Sequence, residues 1–481
     1  MLNTSKQPSS TAYLWRFLFI GLIIYALFYI FECFILIKYP YQISYGEGFI
    51  LNQAALVSKG ESIYQDITHY PFIVSNYPPV YPYLCALFVK LFAVSFSIGR
   101  LISTLATILS GVLIYIILKE RSQLQKKWYT RPAIVSSLFL FASPYIFNYF
   151  PLFRADALAL IFSLTGLYFV FKFETRKLSY LSIPFFILAL YTKQNFVAAP
   201  IASIIYLFVK DTKKGLTYFI ILSLIYISIF LLLNNITRGQ FYLHTFVYNA
   251  NIFSIISAIK LYIKTLQVHA ILFGLSFVYV LHIILKRKLS LFALYFVITA
   301  CVAFSVGKIG SNLNYFGEMI ASSCILLGMF LDTPELNVKQ NNNILVITGL
   351  LFQLVLFAHI PYLTLHTPTK IDLKNARETS KIIQDTQGPI ISEDSGLLVL
   401  NRTPVVFQSF IFTQLANQGL WDQTKFVQDI HRGKFSLIIL TFNLNYEFDR
   451  ERLTNEMATA IKEHYYLQNT VGKYYLYRPN K

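Results

Sequence analysis

The acids and cations of this chain collect in a few short strings set between long apolar runs. Tyr45-Gly-Glu47-Gly-Phe-Ile-Leu follows the first apolar run. Glycines on both sides allow close backbone approach to Glu47. A carboxylate so placed could accept a proton from a hydroxyl. A solvated acid beside a turn accounts for the same string, and short motifs match by accident, so both readings stay open. Glu61, Asp66 and His69 follow in the same stretch. They are ligand types for a cation, but their spacing fits no recognised metal pattern, and a solvated face is the plainer account. Phe153-Arg154-Ala-Asp156-Ala-Leu opens a further apolar run. The helix dipole favours an acid in a first turn, which explains Asp156 but not Arg154 beside it. Tyr191-Thr-Lys193-Gln-Asn is a tight turn between apolar runs; its lysine could snorkel or neutralise a phosphate. Gly307-Lys308-Ile-Gly-Ser-Asn312-Leu-Asn314-Tyr-Phe-Gly-Glu318 combines glycines, amides and one cation. Backbone N–H groups in such a turn make an anion-binding concavity. Glu318 lies about a turn into an apolar run, where an acid needs a partner; Lys308 and Arg154 are the candidates.

The elements that must hold these strings are membrane helices. Of 481 residues, 56% are hydrophobic and 13% charged, against about 25% charged in soluble domains. Mean hydropathy is +0.54. A soluble protein of this composition would expose large apolar patches, so the chain reads as a polytopic membrane protein. Its formal net charge of +18 could suggest nucleic acid, but basic residues retained on cytoplasmic loops explain it better, and no nucleic-acid partner is expected. Cys33, Cys85, Cys301 and Cys324 all lie in apolar segments and form no C-x-x-C pair, so neither a zinc knuckle nor a disulfide framework is indicated. The first apolar run is too long for a signal-peptide core and reads as a retained span. No Walker A, G-x-G-x-x-G after a strand, G-x-S-x-G or H-E-x-x-H occurs, which leaves nucleotide-driven pumping and serine hydrolysis without support.

A span needs about 20 mostly apolar residues. Eleven are expected, near 13–37, 101–118, 133–149, 157–171, 179–192, 196–209, 216–234, 264–285, 289–306, 316–331 and 344–362. The run 81–96 is short, follows prolines and contains Lys90, so it is expected to lie along the interface. That choice puts the basic loops 119–131, 172–177, 210–214 and 286–288 on one side, the cytoplasmic one. The N-terminus is then inside, and the long first loop (38–99) outside. From about residue 364 the chain turns polar, with Pro389-Ile-Ile-Ser and Phe435-Ser-Leu-Ile-Ile-Leu as short buried strands between helical patterns. The expected organisation is a transmembrane domain over 1–363 and a small extracytoplasmic α/β domain over 364–481. No internal repeat of solenoid or inverted-transporter kind is visible.

In their order along the chain, these strings resemble the integral-membrane GT-C glycosyltransferases, in particular the glycosyltransferase 39 group of protein O-mannosyltransferases and aminoarabinose transferases. The resemblance rests on an early acid after the first span, Gly60-x-x-x-Tyr64-x-Asp66, Tyr77-Pro-Pro-x-Tyr-Pro, Arg154-Ala-Asp156-Ala-Leu-Ala, Thr192-Lys193-Gln and Ser311-Asn312-Leu-Asn314-Tyr-Phe. Ser392-Glu-Asp-Ser-Gly-Leu and Gln414-Leu-Ala-Asn-Gln-Gly-Leu-Trp-Asp extend it into the polar C-terminal region. It implies a mainly α, GT-C-like fold in the plasma (inner) membrane. The implied activity is transfer of a sugar, with inversion, from a polyprenyl-phosphate donor to a glycan, lipid or protein acceptor on the outer face. By motif position Glu47 would be the base. Relatives often carry an Asp-Glu pair there, and here the first position is Gly46. Asp156 matches the acid of the second outer loop. Tyr64, Asp66, Arg154, Asn312, Asn314 and Glu318 join the substrate-binding set, and Lys193 and Lys308 are expected to meet phosphate. No cofactor is assigned, and a divalent metal is left open. The alternatives are a transporter or flippase of lipid-linked sugars, which needs no base, and a non-catalytic envelope scaffold.

Overall fold

A computed structural model describes residues 10–124, 130–337, 340–359, 367–446 and 449–480. The expected domain boundary near 364 and part of the basic loop 119–131 fall outside them. The chain is mainly helical, with one small sheet near its C-terminus.

Four described helices are long and apolar enough to cross a membrane: Thr11–Lys38, Phe96–Gln123, Thr212–Ile236 and Leu313–Leu331. A bent pair, Ile255–Val268 with Ala270–Leu285, makes a fifth if counted as one span. The first and third of the four leave broad apolar faces bare, among them Phe17, Leu27 and Phe31, and Leu224, Leu231 and Ile236. Water does not tolerate such faces over this length; lipid does. Leu313–Leu331 is instead buried on almost every side. The other apolar runs form shorter helices, including Asp156–Lys172, Ser182–Thr192, Ala198–Lys210 and Leu291–Ala303. Local sequence sets several of their starts: Asp211 caps the Lys214 N–H, and Ser290 the Ala293 N–H.

Two expected spans are broken. The run 133–149 divides into Arg131–Ala142 and Pro144–Tyr149. Proline drives the preceding residue out of the helical region, and Ser143 is extended, with φ −64° and ψ 124°. The run 264–285 begins inside Ile255–Val268, whose axis lies 92° from that of Ala270–Leu285. The first helix carries exposed Lys260 and Lys264 one turn apart, so it does not continue the apolar face of the second. His269 stands at the corner, buried, with its Nε2 2.9 Å from the Ser143 hydroxyl.

The long first loop holds more order than its polarity suggests. Tyr45–Ser58 is a helix, and so is Val80–Leu91, within the expected interfacial run. Tyr81, Cys85 and Val89 recur at helical spacing on its buried side, while Tyr83, Leu87 and Leu91 are exposed.

In the C-terminal region, β1 (Ile390–Ser392), β2 (Leu437–Leu440), β3 (Tyr465–Val471) and β4 (Tyr474–Pro479) form a sheet of order β1-β2-β4-β3. β1 and β2 are the two expected buried strands, paired parallel with Ile390 opposite Leu437. The β3–β4 hairpin was not foreseen; it turns at Gly472, whose φ of +58° suits glycine. The apolar core of this region is shared with the first loop. Ile50, Leu51 and Tyr81 pack in one cluster with Leu397, Ile439 and Leu476. Ile67, Phe72 and Val74 pack in another with Phe407, Phe412 and Trp421. Backbone bonds from Phe72 to Val406 and from Gln408 to Phe72 reinforce the second.

Candidate functional site

Glu47 sits in the first turn of helix Tyr45–Ser58, not on a solvated loop. Ser44-Tyr-Gly-Glu47 follows the S-x-x-E pattern of a helix start. The Glu47 carboxylate accepts the backbone N–H of Ser44 at 3.1 Å and of Ile43 at 2.8 Å. From the opposite side Arg100 donates Nε to one oxygen and Nη2 to the other, both at 2.9 Å. The backbone N–H of Phe153 adds a fifth bond at 2.8 Å. The remaining donors of Arg100 go to the carbonyls of Leu36, Tyr39 and Tyr41. Both side chains are wholly buried. Burial alone would raise the Glu47 carboxyl, but the Arg100 guanidinium and the backbone donors outweigh it and hold the group below the usual carboxylate range. A carboxylate has about four acceptor sites, and five donors fill them. With no face on a cavity, Glu47 cannot take a proton from a substrate in this arrangement. Its string suggested either a solvated loop acid or a base open to a substrate; the structure instead buries Glu47, where it ties together the chain after the first helix, the start of Phe96–Leu124 and the Phe153-Arg154-Ala-Asp156 string.

Asp156 organises the other three strings. Its Oδ1 accepts from Lys193 Nζ at 2.6 Å and from Asn314 Nδ2 at 2.7 Å, and Arg154 Nε stands 3.7 Å from Oδ2. Asp156, Lys193 and Asn314 are all buried. Lys193 Nζ also lies over the Tyr315 ring, 4.8 Å from its centroid. Lys193 was expected to meet phosphate; its charge is instead spent on Asp156, away from the open cleft. Glu318 is buried too, and its partner is the Tyr295 hydroxyl at 3.1 Å, neither Lys308 nor Arg154. Tyr64 is buried against Phe241 and His244 and donates to the Tyr77 carbonyl. Asp66 is exposed and accepts from Thr68. Neither borders the cleft, so the structure does not bring them to the site.

The cleft has a volume of about 470 Å³. Arg154, Lys308 and Asn312 line it, as does Gly46. A Cβ at position 46 would lie 3.9 Å from Arg154 Nη1, so the position before Glu47 faces the cleft and Glu47 faces away. Lys308 Nζ donates to the carbonyl and side-chain oxygens of Asn249 at 2.8 and 2.9 Å. Burial, reinforced by the Lys193 charge, pushes the Lys308 ammonium down to about 8. Asn312 accepts from the Tyr149 hydroxyl at 2.8 Å.

Sequence reasoning missed the other wall. Gln408, Phe410, Glu451 and Arg452 reach the cleft from the C-terminal region, opposite Tyr45 and Gln53. Arg452 stacks on Tyr45, its Cζ 3.5 Å from the ring centroid. The Tyr45 hydroxyl lies 3.1 Å from the Ser409 hydroxyl and accepts the Phe410 N–H. Among the described residues, the buried Arg452 Nη1 and Gln53 Oε1 have no hydrogen-bond partner, a state that costs free energy unless a ligand meets them. Among the described residues the lining holds three basic side chains, Arg154, Lys308 and Arg452, and one carboxylate, Glu451. Such a cleft suits an anionic ligand with polar substituents. Arg100 also went unread, although an arginine at the head of an apolar run was a signal. Arg452 gave none, because it lies in a charged, ordinary-looking turn.

Residues 76–237 match the family described as dolichyl-phosphate-mannose-protein mannosyltransferase. No curated protein sequence is similar enough to count as a relative. Among solved structures, apo ArnT from Cupriavidus metallidurans matches with a TM-score of 0.63 at 12% identity, over 95% of this chain and 97% of that one. The same protein bound to undecaprenyl phosphate matches with a TM-score of 0.60, again at 12% identity and over 95% and 97% of the two chains. The apo oligosaccharyltransferase of Archaeoglobus fulgidus gives 0.50 at 11% identity, over 96% of this chain and 74% of that one. At such identities the likeness is one of fold. The chain has a GT-C-like fold, and the resemblance read from its motifs holds in both the family match and the architecture.

Proposed function

We propose that this chain is an integral-membrane glycosyltransferase that takes a sugar from a polyprenyl-phosphate carrier and passes it, with inversion, to an acceptor held in the cleft. The observation that carries the reading is the cleft's excess of cations, Arg154, Lys308 and Arg452 against Glu451, within a fold similar to that of a protein solved with undecaprenyl phosphate. A phosphate leaves readily when fixed cations meet its growing charge. The displacement otherwise needs one base to take the acceptor's proton, and Glu451 is the carboxylate at hand. Asp156 acts in this reading as a positioning residue for Arg154, and Glu47 as one for the backbone at Phe153. One carboxylate among three cations is a poor donor set for a divalent metal, so no step passes through one here.

The topology belongs to the same proposal: eleven crossings, N-terminus inside, first loop and C-terminal region outside. Cysteines at Glu61 and Gln428, both exposed, should react with an impermeant thiol reagent in intact cells or spheroplasts, and one at Gln123 should not. The reverse pattern would overturn the orientation.

The decisive test is release of free polyprenyl phosphate from a labelled lipid-linked sugar by the purified protein given an envelope extract as acceptor. Wild type should release it, and Glu451→Gln should be slower by about 10²–10⁴-fold, as for loss of a general base. Full activity in Glu451→Gln would remove the base assignment. Movement of the labelled lipid across a vesicle without release would favour a transporter.

A further inference from the structure

Two helices end side by side in the C-terminal region. Thr424–His431 ends on His431, and Asn455–His464 ends on Glu463 and His464. The two imidazole rings stand edge to face, with centroids 4.7 Å apart. Glu463 Oε2 lies 4.0 Å from His464 Nε2. One ligand atom from each of the three residues lies within 4.8 Å of the other two. Two imidazoles and a carboxylate are the donor types of borderline divalent metals, and magnesium and calcium prefer oxygen alone. Around a tetrahedral zinc ion, ligands at about 2.0–2.2 Å stand about 3.3 Å from each other. The three side chains therefore need to close by roughly an ångström, and they are free to do so: His464 is 41% exposed and Glu463 57% exposed.

The backbone favours the same occupant. All three residues stand in the last turn of their helices, and a helix C-terminus carries partial negative charge that attracts a cation. The frame behind it is fixed: Asn480, just past β4, donates its backbone N–H to the His464 carbonyl at 2.8 Å and its side-chain amide to the Glu463 carbonyl at 2.9 Å. None of the three residues lines the cationic cleft, so the site is separate from the proposed chemistry and does not depend on it.

We propose that His431, Glu463 and His464 bind one divalent ion of the zinc class, with water completing the shell, and that the ion staples the ends of the two helices together. The test uses the full-length protein in detergent, stripped with EDTA and titrated with Zn²⁺ against a chromophoric chelator. Wild type should take up one equivalent that millimolar Mg²⁺ does not displace, and its melting temperature should rise with Zn²⁺. His431→Gln and His464→Gln should each weaken that uptake at least tenfold and lose the rise, while melting like wild type without metal. Should either substitution lower the metal-free melting point, Glu463→Gln repeats the measurement at the most exposed position. Absence of uptake by wild type, displacement by Mg²⁺, or unchanged uptake in the variants would overturn the site.

Discussion

Glu47 and Asp156 are both buried acids that hold the polar strings together, yet they are buried for different ends. Glu47 receives five donors, two of them from one guanidinium and three from backbone. Nothing is left over, and of the five donors only the Ser44 N–H belongs to a residue of the cleft wall. Among the described residues Asp156 receives two close donors, and its second oxygen has only the longer contact with Arg154, whose side chain is part of the cleft wall. The first cluster is a closed joint. The second is a joint with one member exposed to a ligand. A perturbed buried acid is thus not by itself a catalytic one; the count of its donors and what those donors face decide between the two.

The sharpest way to break this contrast is at Arg100. Arg100→Met leaves Glu47 buried without its counter-charge, and loss of one partner of a buried pair costs about 3–5 kcal/mol. Folded protein should be scarce, with a much lower melting temperature in detergent. Glu47→Gln should destabilise in the same sense. A Glu47→Gln protein with wild-type melting and no turnover would restore Glu47 as the base.

Asp156→Asn comes next. It can still bond Asn314 but leaves Lys193 buried without an anion, at a cost of about 3 kcal/mol, the lower end for a broken buried pair because the amide oxygen still accepts. Because Arg154 loses its anchor, KM for the lipid-linked donor should rise together with the loss in melting temperature. Unchanged KM would separate Asp156 from the cleft and make the two joints equivalent.

Lys308 offers a milder probe through pH. Its folded-state value, about 8, lies below the roughly 10.4 of an unfolded lysine. Between those limits the unfolded chain holds a proton that the folded chain has released, so stability should rise with pH across that window. Donor binding should do the opposite and weaken as pH passes about 8, where the cleft loses one of its charges. Lys308→Met should lose both dependences. Flat stability across this window in wild type would mean that the ammonium is not held as described.

The smallest expected effect is at Gly46. The space above it is open, with Arg154 the nearest group, at ordinary contact distance. Gly46→Asp puts a carboxylate in the first turn of a helix and removes a flexible residue, which should stabilise by about 0.5–1 kcal/mol. It would also add to the cleft an acid facing Arg154, so partial rescue of Glu451→Gln is expected. A loss of stability would show that position 46 does not face open space.

Much of the architecture was legible because it is local. Long apolar runs need lipid or a core whatever surrounds them, and each expected span contains helix. The two strands 390–392 and 437–440 were visible as short apolar runs between turns. The breaks at Ser143 and His269 were less so: Pro144 announced the first, but the second follows from where a buried imidazole finds its partner. The helix at 45–58 was spelled out by Ser44-x-x-Glu47 and obscured by two glycines that suggested a turn. The β3–β4 hairpin lay behind a single Gly472 in a stretch with no other turn signal.

The sequence by itself determined that this is a multi-pass chain with its acids and cations gathered between apolar runs, because hydropathy and charge act residue by residue. Only the tertiary structure decided which of those charges are spent. Glu47 meets Arg100 across 53 positions and Phe153 across 106, and Asp156 meets Asn314 across 158. No spacing rule reaches that far. Chain reversal brings them together, and burial then forces each charge to find a partner, since an unpaired one is too costly to keep. The charges the fold keeps at the cleft, Arg154, Lys308 and Arg452, face the space in which a ligand would sit.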